Sequence, residues 1–313
     1  MNAVVTGVAG FIGSHLAERL LLGGATVIGI DCFTDYYARE LKEVNVATLR
    51  EHKEFRLFDT TIQDADWPAL LRNTTHLFHL AAQAGVRRSW GSDFSFYIAC
   101  NVEATQVMLE ACRSASLERL VYASSSSVYG DITEIPMKED SRLRPISPYG
   151  VTKLAAEHLC YLYWVNYGLP TVSLRYFTVY GPRQRPDMAF NRFLRAMHVG
   201  APITLYGDGE QTRDFTFIED AVSATVAAGK QGIPGRVYNI GGGSRVSMNE
   251  VVELMKLCTG FDPIINREKP QDGDMRDTYA DTDLARRDLA FAPSVTLEQG
   301  IETEYKWLSD LAP

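Results

Sequence analysis

Cysteine is sparse in this chain: Cys32, Cys100, Cys112, Cys160 and Cys258 are far apart, and no two form a Cys-x-x-Cys pair. The spacing excludes a zinc ribbon or a dithiol redox motif, so the thiols read as reduced packing residues. No apolar run approaches the ~20 residues needed to span a bilayer. The opening residues run straight into Ala3-Val4-Val5-Thr6 with neither a basic region nor a cleavage site. A cytoplasmic location with no membrane partner is expected. Positive charge is also short, with 31 Lys and Arg against 39 Asp and Glu and a net charge of −8, which supplies no field to draw nucleic acid. An anionic ligand must therefore be held by a local group of arginines. Repeats and low-complexity tracts that would mark further domains are missing as well. What the 313 residues do have is 46% hydrophobic content, enough to bury a large core in one big domain or two unequal ones.

Short β-rich runs alternate with amphipathic stretches through the first half. Ala3–Thr6, Thr26–Ile30, Phe55–Phe58, His76–Leu80, Arg119–Ala123 and Thr171–Arg175 read as strands, and Phe11–Leu22 and Asn101–Arg113 as helices between them. Such βαβ units predict an α/β fold, a doubly wound parallel sheet. After Arg175 the rhythm breaks into Gly181-Pro182 and Gly207-Asp208-Gly209 turns with short strands. Residues 1–175 are expected to form a nucleotide-binding domain, and 176–313 a smaller substrate-binding domain with segments returning to the first. Gly241-Gly242-Gly243 follows a strand-like Val237–Ile240 without the Lys-Ser or Lys-Thr of a phosphate loop, and reads as a strand-to-helix turn.

Gly7, Gly10 and Gly13 are spaced Gly-x-x-Gly-x-x-Gly, and with Phe11 and Ile12 they end a strand and open a helix. Glycines there let the backbone turn tightly and approach a pyrophosphate at the helix N-terminus. A plain tight turn would look the same in isolation. Asp31 closes the next strand about 20 residues on, where a carboxylate accepts hydrogen bonds from ribose hydroxyls and repels the 2′-phosphate of NADP. The predicted cofactor is therefore NAD. Asp59 is a candidate adenine contact by its place past the third strand, and the small Ala81 and Ala82 would let the fourth strand's end reach the cofactor.

Tyr149 and Lys153 lie four apart at the start of the helix-like segment Tyr149–Tyr167 and so share one face. A tyrosine has an unperturbed pKa near ~10, and bringing it ~3 units lower takes ~4 kcal/mol of anion stabilisation, which a neighbouring ammonium can help supply. Such a pair is also an ordinary helix face, and Ser124-Ser125-Ser126-Ser127 upstream could be only a solvated turn. In combination, the glycine segment, Asp31, Tyr122 to Gly130, Ser147 to Lys153 and Arg175 to Arg183 resemble the extended short-chain dehydrogenases that modify nucleotide sugars. The likeness runs over essentially the whole chain. It implies a Rossmann sheet, with Tyr149 as acid/base, Lys153 as its electrostatic partner and ribose contact, Ser125 as the hydroxyl on the reacting oxygen, and Asn101 near the cofactor. In Gln211-Thr212-Arg213-Asp214-Phe215 it makes Arg213 the grip on the nucleotide diphosphate, with Arg87 and Arg276 as further candidates.

Within that family, dehydratases carry an Asp-Glu pair where this chain has Ser126 and Ser127, and uronate decarboxylases carry a glutamate at the place of Ser127. Epimerisation is left. Thr178 with Gly181-Pro182-Arg183-Gln184-Arg185-Pro186-Asp187 resembles the UDP-glucuronate 4-epimerases. Ser126, Ser127, Thr178 and Arg185 suit a sugar carboxylate, although Arg185 could bind phosphate instead. The expectation is an isomerase that converts UDP-glucuronate to UDP-galacturonate through a transient 4-keto sugar, as a homodimer paired through long helices. A UDP-glucose 4-epimerase, a UDP-glucuronate decarboxylase and a non-enzymatic NAD-binding sensor remain as alternatives.

Overall fold

A computed structural model describes residues 1–131 and 134–311. Its strands are β1 (Asn2–Thr6), β2 (Thr26–Asp31), β3 (Phe55–Asp59), β4 (His76–His79), β5 (Arg119–Ser125), β6 (Thr171–Tyr176), β7 (Thr178–Tyr180), β8 (Ile203–Tyr206), β9 (Thr212–Phe217), β10 (Val237–Ile240), β11 (Arg245–Ser247) and β12 (Ile265–Glu268). The helices are α1 (Phe11–Leu22), α2 (Arg39–Arg50), α3 (Trp67–Leu71), α4 (Phe94–Tyr97), α5 (Ala104–Cys112), α6 (Pro148–Tyr167), α7 (Ala189–His198), α8 (Ile218–Gln231), α9 (Met248–Thr259), α10 (Asp283–Leu289) and α11 (Leu297–Leu311).

Seven strands form one sheet in the order β10-β6-β5-β4-β1-β2-β3, every pair parallel. The chain winds outward from β1 to β3 and then crosses back to β4, so the order reverses between β1 and β4. Ligands of open parallel sheets lie at that crevice, beyond the strands' carboxyl ends. The central strands are buried on both faces, which explains their unbroken apolar runs such as Val4-Val5. Among the buried polar residues of these strands is His79 in β4, with its ring nitrogens on the hydroxyls of Thr6 and Thr105.

Helix ends follow local chemistry. Gly10 caps α1 without a side-chain bond, which leaves the helix's first N–H groups to the cavity. Ser147 caps α6 through Gly150 N–H, Pro148 opens it, and Gly168 closes it at φ 70°. Two details depart from the sequence reading. The stretch Ile98–Glu103 is π-helical, and regular α5 begins only at Ala104. Gly241–Gly243 joins β10 to the short strand β11, with α9 starting beyond it, so the turn is strand to strand. Asp214 accounts for its shape by accepting the N–H groups of Gly242 and Gly243.

Beyond β6 the chain builds a three-stranded sheet, β11-β9-β7, and a two-stranded one, β12-β8. It also returns β10 to the edge of the main sheet and lays α8 against α1. One apolar core runs from Val5 and Phe78 under the main sheet to Tyr180, Phe190 and Leu308 in the later segments. Among the described residues, no helix is long and apolar enough to cross a membrane.

Candidate active site

A single cavity of about 1380 Å3 opens along the carboxyl ends of β1, β2, β4, β5 and β6 and continues under β8 and β9. That exceeds the several hundred Å3 usual for one small ligand and gives room for two. Its first half is a cradle of backbone. Gly7 stands at φ 71°, where a Cβ would press on Ala81 N at 2.8 Å, and a Cβ at Gly13 would run into the Gly7 carbonyl. Phe11 and Ile12 present the start of α1 to the same space, with Gly10 before them and Ala81 and Ala82 opposite. Asp31 closes β2 there, its two oxygens accepting Ala9 N–H and Phe33 N–H at 2.9 Å each. The carboxylate thus fastens the glycine loop to the strand and faces the cavity. Glycine backbone against a helix N-terminus, with a carboxylate at the second strand, fits a dinucleotide with pyrophosphate and unphosphorylated ribose.

Neither Asp59 nor Asn101 joins the cavity wall. Asp59 is held by Arg39 at 2.6 Å on the surface. Asn101 is buried one layer behind, its amide bonded to Gln83 backbone and to the Thr152 hydroxyl, so it supports the wall. Residues that sequence reasoning missed fill those places: Thr60 to Asp64 after β3, and the loop Thr34 to Tyr37 with Lys42, whose ammonium bonds Thr34 carbonyl at 2.6 Å. Nothing periodic marks them: Thr60 to Asp64 and Thr34 to Tyr37 reach the cavity from irregular loops, and Lys42 from the first turn of α2.

Tyr149 and Lys153 face the middle of the cavity from the first turns of α6, and Ser125 from the end of β5. Burial pushes the Tyr149 phenol up, against the opposing influence of the neighbouring Ser125 hydroxyl and the positive charge of Arg185. Burial also brings the Lys153 ammonium down to about 7, while Cys160 and Glu157 favour its charged form. Its Nζ lies 4.6 Å from the centre of the Tyr122 ring. A phenol raised by burial does not serve as a base near neutrality unaided.

On the other side, Ser126, Ser127, Thr178 and Arg185 line the wall beyond Tyr149. Arg185 is already engaged: Nε and Nη2 donate to Asp187 at 2.9 and 3.0 Å, and Tyr36 donates to the same carboxylate at 3.2 Å. Burial opposes ionisation of Asp187, but the Arg185 pair holds it below the ordinary carboxylate value. Farther out, Arg87 stacks on the Tyr206 ring at 4.1 Å and pairs with Asp274 at 2.7 Å, while Arg213 donates to the backbone of Thr212 and Arg276. Arg87 and Arg213 line the cavity; Arg276 does not, being spent on Asp208 at the surface.

Residues 3–241 match the family described as "NAD dependent epimerase/dehydratase family". The chain belongs to that family. An NAD dependent epimerase/dehydratase uses NAD, and the backbone cradle just described suits it. Among the family's members, the chain is 44% identical to the "Uncharacterized UDP-glucose epimerase YtcB" of Bacillus subtilis (strain 168), covering 99% of each. It is 43% identical to the UDP-glucuronic acid 4-epimerase of Bacillus cereus, solved with UDP-glucuronic acid and NAD, with a TM-score of 0.97 over 100% of both chains. MoeE5, solved both with UDP-glucuronic acid and with UDP-glucose, each with NAD, is 41% identical with a TM-score of 0.90 over 99% of both. The two solved structures share this chain's fold, and epimerases are isomerases.

Proposed function

We propose that this chain is a UDP-glucuronate 4-epimerase that forms UDP-galacturonate. What carries the reading is the sugar end of the cavity, where three hydroxyls and one guanidinium, Ser126, Ser127, Thr178 and Arg185, surround the space beside Tyr149. Ser126 and Ser127 leave no carboxylate at the two places where dehydration or decarboxylation needs one. Bound NAD supplies a reversible two-electron acceptor for the sugar's C4. Tyr149 then holds the O4 proton, receiving it on oxidation and returning it on reduction, with the Ser125 hydroxyl on the same oxygen. Lys153 keeps positive charge beside the phenolate. Arg213 and Arg87 hold the diphosphate, which is the shared handle of every UDP-sugar. Epimerisation needs a site in which a flattened ring can turn over, and short hydroxyls around it allow donors to be exchanged between its two faces.

A second reading keeps the same chemistry on UDP-glucose. The Arg185–Asp187 pair favours it, because a guanidinium already facing a carboxylate offers less net charge to a uronate. Incubating the NAD-loaded enzyme with each sugar nucleotide and following the products by NMR decides between them. UDP-galacturonate forming much faster than UDP-galactose is the expected result, and the reverse order overturns the choice of uronate.

The reading includes a cytoplasmic homodimer. Tyr161, Leu162 and Val165 are exposed on α6, and Phe94 and Ile98 near it, which gives two adjoining helical stretches an apolar outer face. Light scattering of the purified chain at twice the 34.9 kDa chain mass is the expected outcome.

A further inference from the structure

Glu157 follows Lys153 by four residues and Tyr149 by eight, so the three lie along one face of α6. The face runs from the cavity into the protein: Lys153 is 3% exposed and Glu157 4%. Both Glu157 oxygens are occupied. Oε1 accepts Arg175 Nη2 at 2.6 Å, and Oε2 accepts Arg175 Nε at 3.1 Å and the Ser124 hydroxyl at 2.6 Å. Arg175, from β6, uses its remaining nitrogen on the Tyr129 hydroxyl at 2.8 Å and the Glu139 carbonyl at 3.0 Å. Ser124 stands immediately before Ser125, and Tyr129 just after the serine turn. The pair therefore joins the helix carrying Tyr149 to the strand end carrying Ser125.

A buried ion pair is weak support for stability, because desolvating both charges offsets much of their attraction. Its position invites another role. The charged or titratable groups facing Lys153 are Tyr149, Glu157 and Cys160 on its own helix, the Tyr122 ring from β5 and His79 from β4, with Arg175 behind Glu157. Burial and the Lys153 charge hold His79 down to about 3, so it stays neutral. Glu157 is the one carboxylate among those groups.

We propose that Glu157, locked in place by Arg175 and Ser124, is a positioning residue that sets the proton affinity of the Tyr149–Lys153 pair. Its charge opposes the loss of a proton from either member, and its three hydrogen bonds hold the carboxylate in place. Removing it raises the local potential, so the pair gives up its first proton at lower pH, whichever member releases it.

The inference rests on Tyr149 being the titrating acid/base but not on the identity of the sugar, so the test uses no sugar. In the NAD-bound full chain, phenolate absorbance is titrated for the parent and for Tyr149→Phe, and the difference isolates Tyr149. The titration is repeated in Glu157→Gln, which keeps the shape and removes the charge, against its own Tyr149→Phe partner. The midpoint is expected to fall by about one pH unit. In Glu157→Gln/Arg175→Gln, where both charges are gone, the midpoint should lie between the other two. A Glu157→Gln midpoint equal to the parent's, with only a lowered melting temperature, makes the pair structural and overturns the proposal. Should the single variant not fold, the double variant, which buries no unpaired charge, decides by the same criterion. No parental difference between Tyr149 and Tyr149→Phe would instead remove the acid/base reading, and this proposal with it.

Discussion

Tyr149 touches the cavity through its phenol, while the cofactor half is built from backbone and Asp31. Tyr149→Phe should therefore leave NAD affinity within about twofold and lower kcat by at least about a hundredfold, the range of one general acid/base. NAD titration beside a turnover assay checks both halves, and turnover within tenfold of the parent would contradict the assignment. Arg185 is a harder case because Asp187 shares its guanidinium. In Arg185→Ala a uronate loses a charge-assisted partner worth roughly 1.5–3 kcal/mol, or about ten- to a hundredfold, and meets the uncompensated Asp187 as well. UDP-glucose suffers neither loss. The ratio of kcat/KM between the two sugars should thus fall, and in Arg185→Ala/Asp187→Ala part of it should return. Equal losses on both sugars would move Arg185 to the shared diphosphate. The sequence suggested an anion for this residue but did not show its partner. An arginine in a Gly-Pro-rich loop announces an anion site, whereas the Tyr36–Asp187 contact joins positions 151 apart with no pattern linking them.

The βαβ units were legible because their apolar runs are short and bounded, and their glycines sit where the backbone must turn. All six strands read from the first half occur, each within two residues of its reading at either end, and α1 spans Phe11–Leu22 as read. What the sequence did not show has a common cause. Asp59 was placed by its position in the sheet and Arg276 by the family resemblance, and the structure pairs them with Arg39 and Asp208 outside the cavity wall. Asn101 was placed near the cofactor and lies one layer behind it, within the π-helical turn that no apolar period announces. Gly241–Gly243 was misread because its shape comes from Asp214, which lies 28 residues away from Gly242. Local signals specify elements; they do not specify which distant side chain takes up a hydrogen-bonding group. At the glycine loop the local signal suffices, and it supports a sharp prediction. Gly13→Ala drives a methyl into the Gly7 carbonyl, backbone that is itself fixed by Gly7 N–H donating to Ile30 carbonyl at 2.8 Å. Since neither side can yield cheaply, NAD affinity should fall by at least about tenfold and the melting temperature should drop. Unchanged NAD binding by calorimetry would mean that α1 can shift without disturbing the cradle.

Across the whole molecule, we propose that the division at residue 175 separates ligand-binding regions rather than folding units. We expect that the two halves cannot be separated, because the main sheet is completed only by β10, which pairs with β6 from Val237 to Ile240. Between them the chain also returns α8, which packs on α1, β5 and β6 and buries Ala221, Val222, Ala224 and Ala228. A fragment of residues 1–175 would expose that face of the sheet together with Val172 and Leu174, which are fully buried in the intact chain. Val172, Leu174 and Val222 each contribute about 1.5–3 kcal/mol, so losing their burial takes a large part of the ~5–15 kcal/mol by which a domain is stable. The His15 contact with Pro182 carbonyl at 2.9 Å and the Arg183–Glu18 pair at 2.8 Å would go too, releasing the outer side of the cofactor helix. The fragment is therefore expected to lack a cooperative thermal transition and to bind no NAD, while the full chain shows both. A fragment that melts cooperatively and retains NAD affinity would establish the first half as an independent folding unit. It would then reduce β10 and α8 to a covering that the sheet does not need.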